Sequence, residues 1–234
     1  MTDQPAPETS TAPRLVVLDV NETLSDLSPL RQAFSDVGLE PHETEAWFAG
    51  VLRDGFALTV LGDNPAFADL AADGVRARVR AAHPDRGEQT VDEAADRVLS
   101  TFTSLAPHPD VVEGLRALAG LGCRIVTLSN GSAGVARALL GETGAGPVIE
   151  DYLSVERAGV WKPAAAAYRY ALEQTGVEAR HAMLVAVHPW DVEGARRAGL
   201  RTTWVNRKDA SYPSFLTPPE LDVASLTDLA ARFG

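Results

Sequence analysis

Four polar clusters in this sequence have side chains that could do chemistry. The most distinctive is Asp19, which ends the apolar run that begins at Leu15 and is followed four residues later by Thr23. A carboxylate in this position can act as a nucleophile if its surroundings strip it of water and hold it beside an electrophile. Read alone, the same residue could equally cap a helix or stand in a turn. The other clusters are Ser129-Asn130, Lys162 and His188 with Asp191.

The elements around these clusters predict that they meet. Apolar runs typical of buried strands alternate with helical patterns, the runs lying at 15–20, 124–128, 182–187 and 202–205. This alternation predicts an α/β fold with a Rossmann-like parallel sheet covered by helices on both faces. Asp19, Ser129-Asn130 and His188 each fall at or just beyond the carboxyl end of a predicted strand. Open parallel sheets bind their ligands in the crevice at that edge.

Residues 28–107 interrupt the alternation. They contain helical patterns such as 43–61 and 91–104 and no convincing buried strand. Because so long a segment without a strand is unusual for a crossover, we expect an all-helical cap domain here. The core domain would then comprise residues 14–27 and 108–234, and residues 1–13, rich in Pro, Thr and acid, would form a disordered tail. The alternative is that these helices simply flank the sheet.

Composition narrows the range of partners. The chain has 234 residues, 45% of them hydrophobic, which is enough for a globular core. Its formal net charge of -11 repels nucleic acid and anionic lipid, so we expect neither nucleic acid nor membrane as a partner. The sequence shows no membrane span and no signal peptide, which predicts a cytoplasmic protein. The expected partner is a small molecule.

The four clusters, in their order and at their separations, resemble the motifs of the haloacid dehalogenase superfamily. The resemblance runs from Leu15 to about Val205. It implies a Rossmann-like core with a helical cap inserted after the first motif. It also implies that Asp19 forms a covalent ester or acyl phosphate, and that Ser129 and Lys162 steady charge. The catalytic set implied by the resemblance is Asp19, Thr23, Ser129, Asn130, Lys162, Tyr168, His188 and Asp191.

Two departures separate this chain from the superfamily's magnesium-dependent phosphatases. Asn21 stands two residues after Asp19, where those enzymes carry an acid, and an amide has no titrating proton for a leaving alkoxide. Val187 stands where the first metal-binding Asp is usual, and Asp19 with Asp191 alone would make a thin site for a hard cation. We therefore expect no metal and no other cofactor.

Two further residues resemble the (S)-2-haloacid dehalogenase branch. Tyr168 lies six residues after Lys162, and Trp190 directly precedes Asp191. Both could instead be ordinary core aromatics. The branch implies that Asp19 attacks the carbon bearing the halogen and forms an ester, which water then hydrolyses. Asp191 would position or deprotonate that water, and His188 is either a second base or only a hydrogen-bonding partner.

The helical segment departs from the branch at its leaving-group site. An Arg that binds halide in well-studied relatives follows a Trp, whereas this chain has Trp47-Phe48. An aromatic pocket could suit a different or larger substrate, although aromatics at helical spacing could equally form the core of the cap. The predicted substrate-binding residues are Asn21, Trp47, Phe48, Leu52, Phe67 and Trp190.

The prediction from sequence is a metal-independent hydrolytic dehalogenase of 2-haloalkanoic acids that works through an Asp19 ester. Its expected partners are a small-molecule carboxylate substrate and a second copy of the chain in a homodimer. Two alternatives stay open, because a fold alone does not give a function. One is a magnesium-dependent phosphatase acting on a small phosphorylated metabolite, and the other is a catalytically silent binding protein.

Overall fold

A computed structural model describes residues 11–141 and 143–234. Most of the predicted tail, residues 1–10, lies outside the described residues. Pro13 is already buried, and Ala12 packs against the core. The chain then forms a parallel sheet in the order β3-β2-β1-β4-β5-β6. The strands are β1 (Leu15–Leu18), β2 (Arg124–Ser129), β3 (Asp151–Ser154), β4 (Ala182–Ala186), β5 (Arg201–Val205) and β6 (Leu221–Val223).

Strand β1 lies at the centre of the sheet, where the strand order reverses. All four of its residues are buried, as expected of an uninterrupted apolar run covered on both faces. Leu18 lies beside Thr127 of β2 on one side and Val185 of β4 on the other. The next residue, Asp19, therefore emerges at the switch point of a doubly wound sheet.

In the described part of the chain, six α-helices flank the sheet, which has two separate apolar faces. Val16 and Leu18 point into one of these core clusters, and Leu15 and Val17 point into the other, as the two-residue period of a strand requires. The predicted Rossmann-like α/β fold is confirmed. The flanking helices are α5 (Val111–Gly120), α6 (Ala133–Gly141), α7 (Val155–Ala158), α8 (Ala165–Thr175), α9 (Pro189–Arg197) and α10 (Leu226–Ala231).

The segment between β1 and α5 is helical and has a core of its own. Its helices are α1 (Leu30–Asp36), α2 (Glu43–Leu61), α3 (Phe67–Ala82) and α4 (Glu88–Thr103). We call this segment the helical insertion. The segments that lead into and out of the helical insertion lie next to each other, because Ser25 and Pro107 form an antiparallel β-bridge. Its treatment as a separate cap domain with limits at 28 and 107 stays a prediction.

The helical insertion packs on the α/β core beside the carboxyl ends of the strands. Trp161 is fully buried and packs in the apolar cluster of the helical insertion. Its indole Nε1 donates to the carbonyl of Pro65 at 3.0 Å. Gly55 of α2 lies so close to this ring that a Cβ there would stand 2.3 Å from it. Because Trp161 directly precedes Lys162, helix α2 is packed against the backbone that carries this lysine.

Among the described residues, no helix is both long and apolar enough to cross a membrane. The predicted cytoplasmic location and the predicted homodimer stay predictions.

Candidate active site

Asp19 lies at the bottom of a closed polar site. Its side chain is almost fully buried, and both of its oxygens accept hydrogen bonds. Thr23 Oγ1 donates to Oδ2 at 2.5 Å, and Lys162 Nζ donates to Oδ1 at 2.9 Å. Thr23 is fixed in turn, because its hydroxyl oxygen accepts the backbone N–H of Val187 at 3.1 Å. The carboxylate is therefore desolvated and held in one orientation.

Asn130, which follows β2, holds the backbone of Lys162 in place. The Asn130 side-chain oxygen accepts the backbone N–H of Lys162 at 2.9 Å, and its amide nitrogen donates to the Lys162 carbonyl at 3.2 Å. This two-point contact fixes the peptide of a residue 32 positions away. The Lys162 side chain, including its ammonium group, is fully buried.

Asp191 lies in the first turn of α9 and is the second anion on Lys162. Its Oδ2 accepts from Lys162 Nζ at 2.6 Å, and its Oδ1 accepts from the Tyr168 hydroxyl, also at 2.6 Å. All three side chains are fully buried. Tyr168 is thus part of the polar site rather than an ordinary core aromatic.

The charges in this buried network control its protonation. Burial alone would raise the pKa of Asp19, but the positive charge of Lys162, with His188 and the bonds from Thr23 and Lys162, brings that pKa below its usual 3.8. Burial would lower the pKa of Lys162, but the two carboxylates outweigh burial and raise it above 10.5. The pKa of Asp191 lies above 3.8, because burial outweighs the attraction of Lys162.

Ser129 and Asn21 flank a small space above Gly131. Ser129 Oγ accepts the N–H of Gly131 at 2.9 Å, a bond that does not use the hydroxyl proton. A Cβ at Gly131 would lie 3.3 Å from Ser129 Oγ and 3.7 Å from Asn21 Nδ2. Two polar groups able to donate hydrogen bonds therefore converge where glycine contributes no side chain.

His188 lies between Asp19 and the helical insertion. Its ring stacks on Trp190 at 5.0 Å between centroids and on Phe48 of α2 at 6.2 Å. Its Nε2 lies 3.2 Å from the carbonyl oxygen of Asn21 and 3.7 Å from Asp19 Oδ2. The imidazole is thus placed by two aromatic faces and a backbone acceptor.

The aromatic residues predicted for the pocket separate into two groups. Phe48 contacts His188, Leu52 lies one turn further along α2, and both line a cleft described below. Trp47 points the other way: its indole Nε1 donates to the carbonyl of Ala71 at 2.9 Å within the core of the helical insertion. Phe67 lies 6.1 Å from Phe48 and stacks on Trp161.

A cleft of about 870 Å³ opens between the helical insertion and the α/β core. Its walls include Phe48 and Leu52 from α2, and Glu22, Val187 and His188 from the core. Asp19 does not line the cleft, but His188 does, and its Nε2 lies 3.7 Å from Asp19 Oδ2. We interpret the cleft as the approach to the site and the buried polar network as the place of reaction.

Glu22 is a site residue that sequence reasoning missed. It adopts a left-handed backbone conformation with φ 61°, which is costly for any residue except glycine. Its carboxylate lies 3.7 Å from His188 Nε2 and 3.6 Å from Lys208 Nζ. The sequence shows that Glu22 follows Asn21, but its left-handed backbone conformation and its contact with His188 exist only in the folded chain.

Within residues 11–141 and 143–234, no group of three or more His, Cys, Asp or Glu side chains is arranged to hold a metal ion. Between the two buried carboxylates stands the Lys162 ammonium. The donor set therefore does not fit magnesium.

Comparison with known proteins agrees with the geometry. The haloacid dehalogenase-like hydrolases match residues 13–199 of the chain. The chain belongs to this family. The resemblance drawn from the motifs is thereby confirmed.

Named relatives within the family are dehalogenases. The (S)-2-haloacid dehalogenase H-109 of Pseudomonas putida is 26% identical over 219 residues, which cover 92% of this chain and 95% of that protein. The haloacetate dehalogenase H-2 of Moraxella sp. (strain B) is 32% identical over 130 residues, so the match spans 56% of this chain and 58% of that protein. A solved dehalogenase with an intermediate complex superposes with a TM-score of 0.84 at 25% identity, covering 94% of this chain and 96% of that one.

Proposed function

We propose that this chain hydrolyses the carbon–halogen bond of 2-haloalkanoic acids through an ester on Asp19, without a metal ion. The observation that carries the proposal is the buried Asp19 carboxylate, which Lys162 keeps ionised and Thr23 orients. Asn21 stands where an enzyme that releases an alkoxide would need an acid. A halide leaves as an anion and needs no proton. The names of the relatives H-109 and H-2 support this substrate class.

The reaction balances in two steps. First, an oxygen of Asp19 bonds to the carbon that bears the halogen, and the halide leaves with the electron pair of the broken bond. Burial strengthens this nucleophile because little water competes for it. Then water adds to the Asp19 ester carbonyl, the ester bond breaks, and a 2-hydroxy acid leaves with an oxygen that came from Asp19.

We further propose that the substrate carboxylate binds above Gly131. Ser129 and Asn21 offer a hydroxyl and an amide to this space, and hydrogen bonds to a charged acceptor are stronger than those between neutral groups. This placement would direct the carbon bearing the halogen towards Asp19. Aromatic and aliphatic side chains of Phe48, Leu52 and Trp190 would then border the rest of the substrate.

A magnesium-dependent phosphatase is not favoured. Asn21 supplies no general acid, and the described residues present no group of carboxylates and histidines arranged around a metal. Lys162, placed between Asp19 and Asp191, balances charge that a phosphatase would balance with a cation.

The test is halide release from a panel of 2-halocarboxylates, including fluoroacetate, with EDTA present. Wild-type protein is expected to release halide, and Asp19→Asn, which keeps the size of the side chain but removes its nucleophilic charge, is expected to release none. If no substrate yields halide while a phosphate ester is cleaved only with magnesium, the proposed reaction is wrong.

A further inference from the structure

The turn that follows β1 is held by contacts to three consecutive carbonyls. The ring of His108 contacts the carbonyl of Glu22 at 3.0 Å, and the backbone N–H of His108 donates to the carbonyl of Leu24 at 2.8 Å. Between them, the guanidinium group of Arg207 donates to the carbonyl of Thr23. The conformation of this turn therefore depends on residues that lie far from it in the sequence.

Arg207 is the charged member of this set. Its Nε and Nη2 both donate to the Thr23 carbonyl oxygen, at 3.2 and 2.9 Å. Its Nη1 and Nη2 also donate to the two oxygens of Asp110, at 2.8 and 3.2 Å. The backbone N–H of Leu226 holds Asp110 in turn, because it donates to Oδ2 at 2.7 Å. Since a charged pair bonded at two points is fixed in direction as well as distance, the guanidinium group is held in one orientation.

Asp110 is the counter-ion of this guanidinium group. Each of the two side chains is only 15% exposed. Burial alone would raise the pKa of Asp110, but the hydrogen bonds from Arg207 and from the Leu226 N–H bring that pKa below its usual 3.8. The pair is therefore ionised at neutral pH.

Thr23 connects this ion pair with the nucleophile. Its hydroxyl donates to Asp19 Oδ2 at 2.5 Å and accepts the backbone N–H of Val187 at 3.1 Å. A threonine side chain is stiff because it branches at Cβ, so the position of its hydroxyl follows from the position of its backbone. A contact that fixes the Thr23 carbonyl therefore also fixes the donor that orients Asp19.

A direct role for Arg207 in substrate binding is not favoured, although Arg207 lines the cleft. A guanidinium group has five N–H donors, and four of those in Arg207 donate to Thr23 or Asp110. Capture of a substrate carboxylate at two points would need two free donors. The charge of Arg207 is also already balanced by Asp110.

We propose that Arg207, held by Asp110, is a positioning residue for the nucleophile of the proposed reaction, on which this inference rests. The ion pair fixes the backbone of Thr23, and the Thr23 hydroxyl then holds Asp19 in the orientation needed for attack on the substrate. Because misplacement of a reacting group by about 1 Å can slow a reaction about 100-fold, loss of this support should slow formation of the ester. The substrate carboxylate is proposed to bind elsewhere, above Gly131, so its binding should be little affected.

The test measures halide release in single turnovers, with protein in excess over a 2-halocarboxylate. Arg207→Met keeps most of the length of the side chain but removes its donors and its charge, and we expect its maximal rate to fall about 10- to 100-fold. The protein concentration that gives half of the maximal rate should stay close to that of the wild type. Arg207→Lys keeps the charge, and Asp110→Asn keeps the guanidinium group, so both should slow the same step by less. If Arg207→Met does not fold, these two variants make the same comparison.

Arg124 offers a matched control. It too donates to a carboxylate, that of Glu150, and to a backbone carbonyl, that of Thr175. It is the first residue of β2, however, and so lies at the opposite edge of the sheet from the site. Arg124→Met should lower the Tm and yet release halide at the wild-type rate.

Added guanidinium ion gives a second readout, which a merely structural role would not move. At a temperature where Arg207→Ala is fully folded, and at concentrations far below those that unfold the protein, the ion should raise the rate of this variant by binding between Thr23 and Asp110. A wild-type rate in Arg207→Met, or an effect confined to the half-saturating concentration, would overturn the inference. An equal loss of rate in Arg124→Met would overturn it as well. Absence of halide release by the wild type would instead refute the proposed function.

Discussion

Lys162 is the residue through which both carboxylates of the site are held. A buried charge without a partner costs free energy, so a variant that removes one partner of a buried ion pair destabilises the protein strongly. Here one ammonium donates to Asp19 and to Asp191, so each of the three groups depends on the other two. The same arrangement lowers the pKa of Asp19 and so keeps its carboxylate ionised.

The hydroxyl of Tyr168 offers a sharp test of this network. Tyr168→Phe leaves Asp191 Oδ1 buried without its donor, and we expect a loss of about 1–3 kcal/mol in the free energy of unfolding together with slower turnover. The control is Tyr170→Phe on the same helix, because the Tyr170 hydroxyl is buried with no hydrogen-bond partner among the described residues. Urea unfolding should show the control unchanged or more stable. Equal losses in both variants would contradict a specific role for Tyr168.

Residues of the site differ in how far sequence predicts them. Asp19, Ser129 and His188 could be placed together because parallel strands end at one edge of a sheet. Trp47 and Phe48 could not be told apart, since neighbours on a helix point about 100° away from each other and the sequence does not show which one faces the core. Glu22 had no signal, because its role depends on a backbone angle and a contact across the fold.

At the scale of elements, α2 is the helix of the helical insertion that packs next to Lys162. It places Phe48 and Leu52 at the cleft on one face, and on another face Gly55 lies against Trp161, the residue before Lys162. Helix α2 therefore contacts both the cleft and the residue that directly precedes Lys162. The close approach is possible because residue 55 has no side chain.

Two glycines of α2 give opposite expectations. Gly55→Ala would place a Cβ 2.3 Å from the Trp161 ring, so we expect it to destabilise the protein by about 1–3 kcal/mol and to slow turnover. Gly50→Ala would have its nearest neighbour, Arg78 Nη2, at 4.0 Å, so we expect a gain of about 0.5–1 kcal/mol from helix propensity. Thermal unfolding of both variants decides the matter. A stabilised Gly55→Ala would contradict the packing of α2 on Trp161.

The elements that sequence predicted well are those with long or wholly apolar patterns. The helix expected at 43–61 is α2 with the same limits, and the four apolar runs are β1, β2, β4 and β5. The remaining strands, β3 and β6, escaped prediction because each lies at an edge of the sheet and carries an exposed Asp, Asp151 or Asp222, so that neither forms an uninterrupted apolar run. Pairing with β2 and β5 defines them, and pairing is tertiary information.

At the scale of the whole molecule, the stability of the chain should depend on pH through His108. His108 lies where the chain leaves the helical insertion, and it contacts the segment by which the chain enters the insertion. Its ring contacts the Glu22 carbonyl at 3.0 Å, and its backbone N–H donates to the carbonyl of Leu24. Burial, with the positive charge of Arg207, holds the pKa of His108 below its usual 6.5. The unfolded chain therefore binds the proton more readily than the folded one.

The sign of the effect follows from that difference. Stability is fully present above pH 6.5 and decreases as the pH falls from 6.5 towards the folded pKa. We expect the urea midpoint of the wild type to fall across this window and that of His108→Gln to fall less. An identical pH dependence in the two proteins would show that His108 does not contribute.

The central claim is that Asp19 forms a covalent ester, and one isotope measurement tests it most directly. A single turnover of a 2-halocarboxylate is run in H₂¹⁸O with protein in excess, and the product and the Asp19 peptide are then weighed by mass spectrometry. We predict a 2-hydroxy acid without the label and an Asp19 carboxyl group that has gained one ¹⁸O, because water attacks the ester at Cγ. Labelled hydroxy acid and an unlabelled Asp19 would mean that water attacks the substrate directly, and would contradict the account.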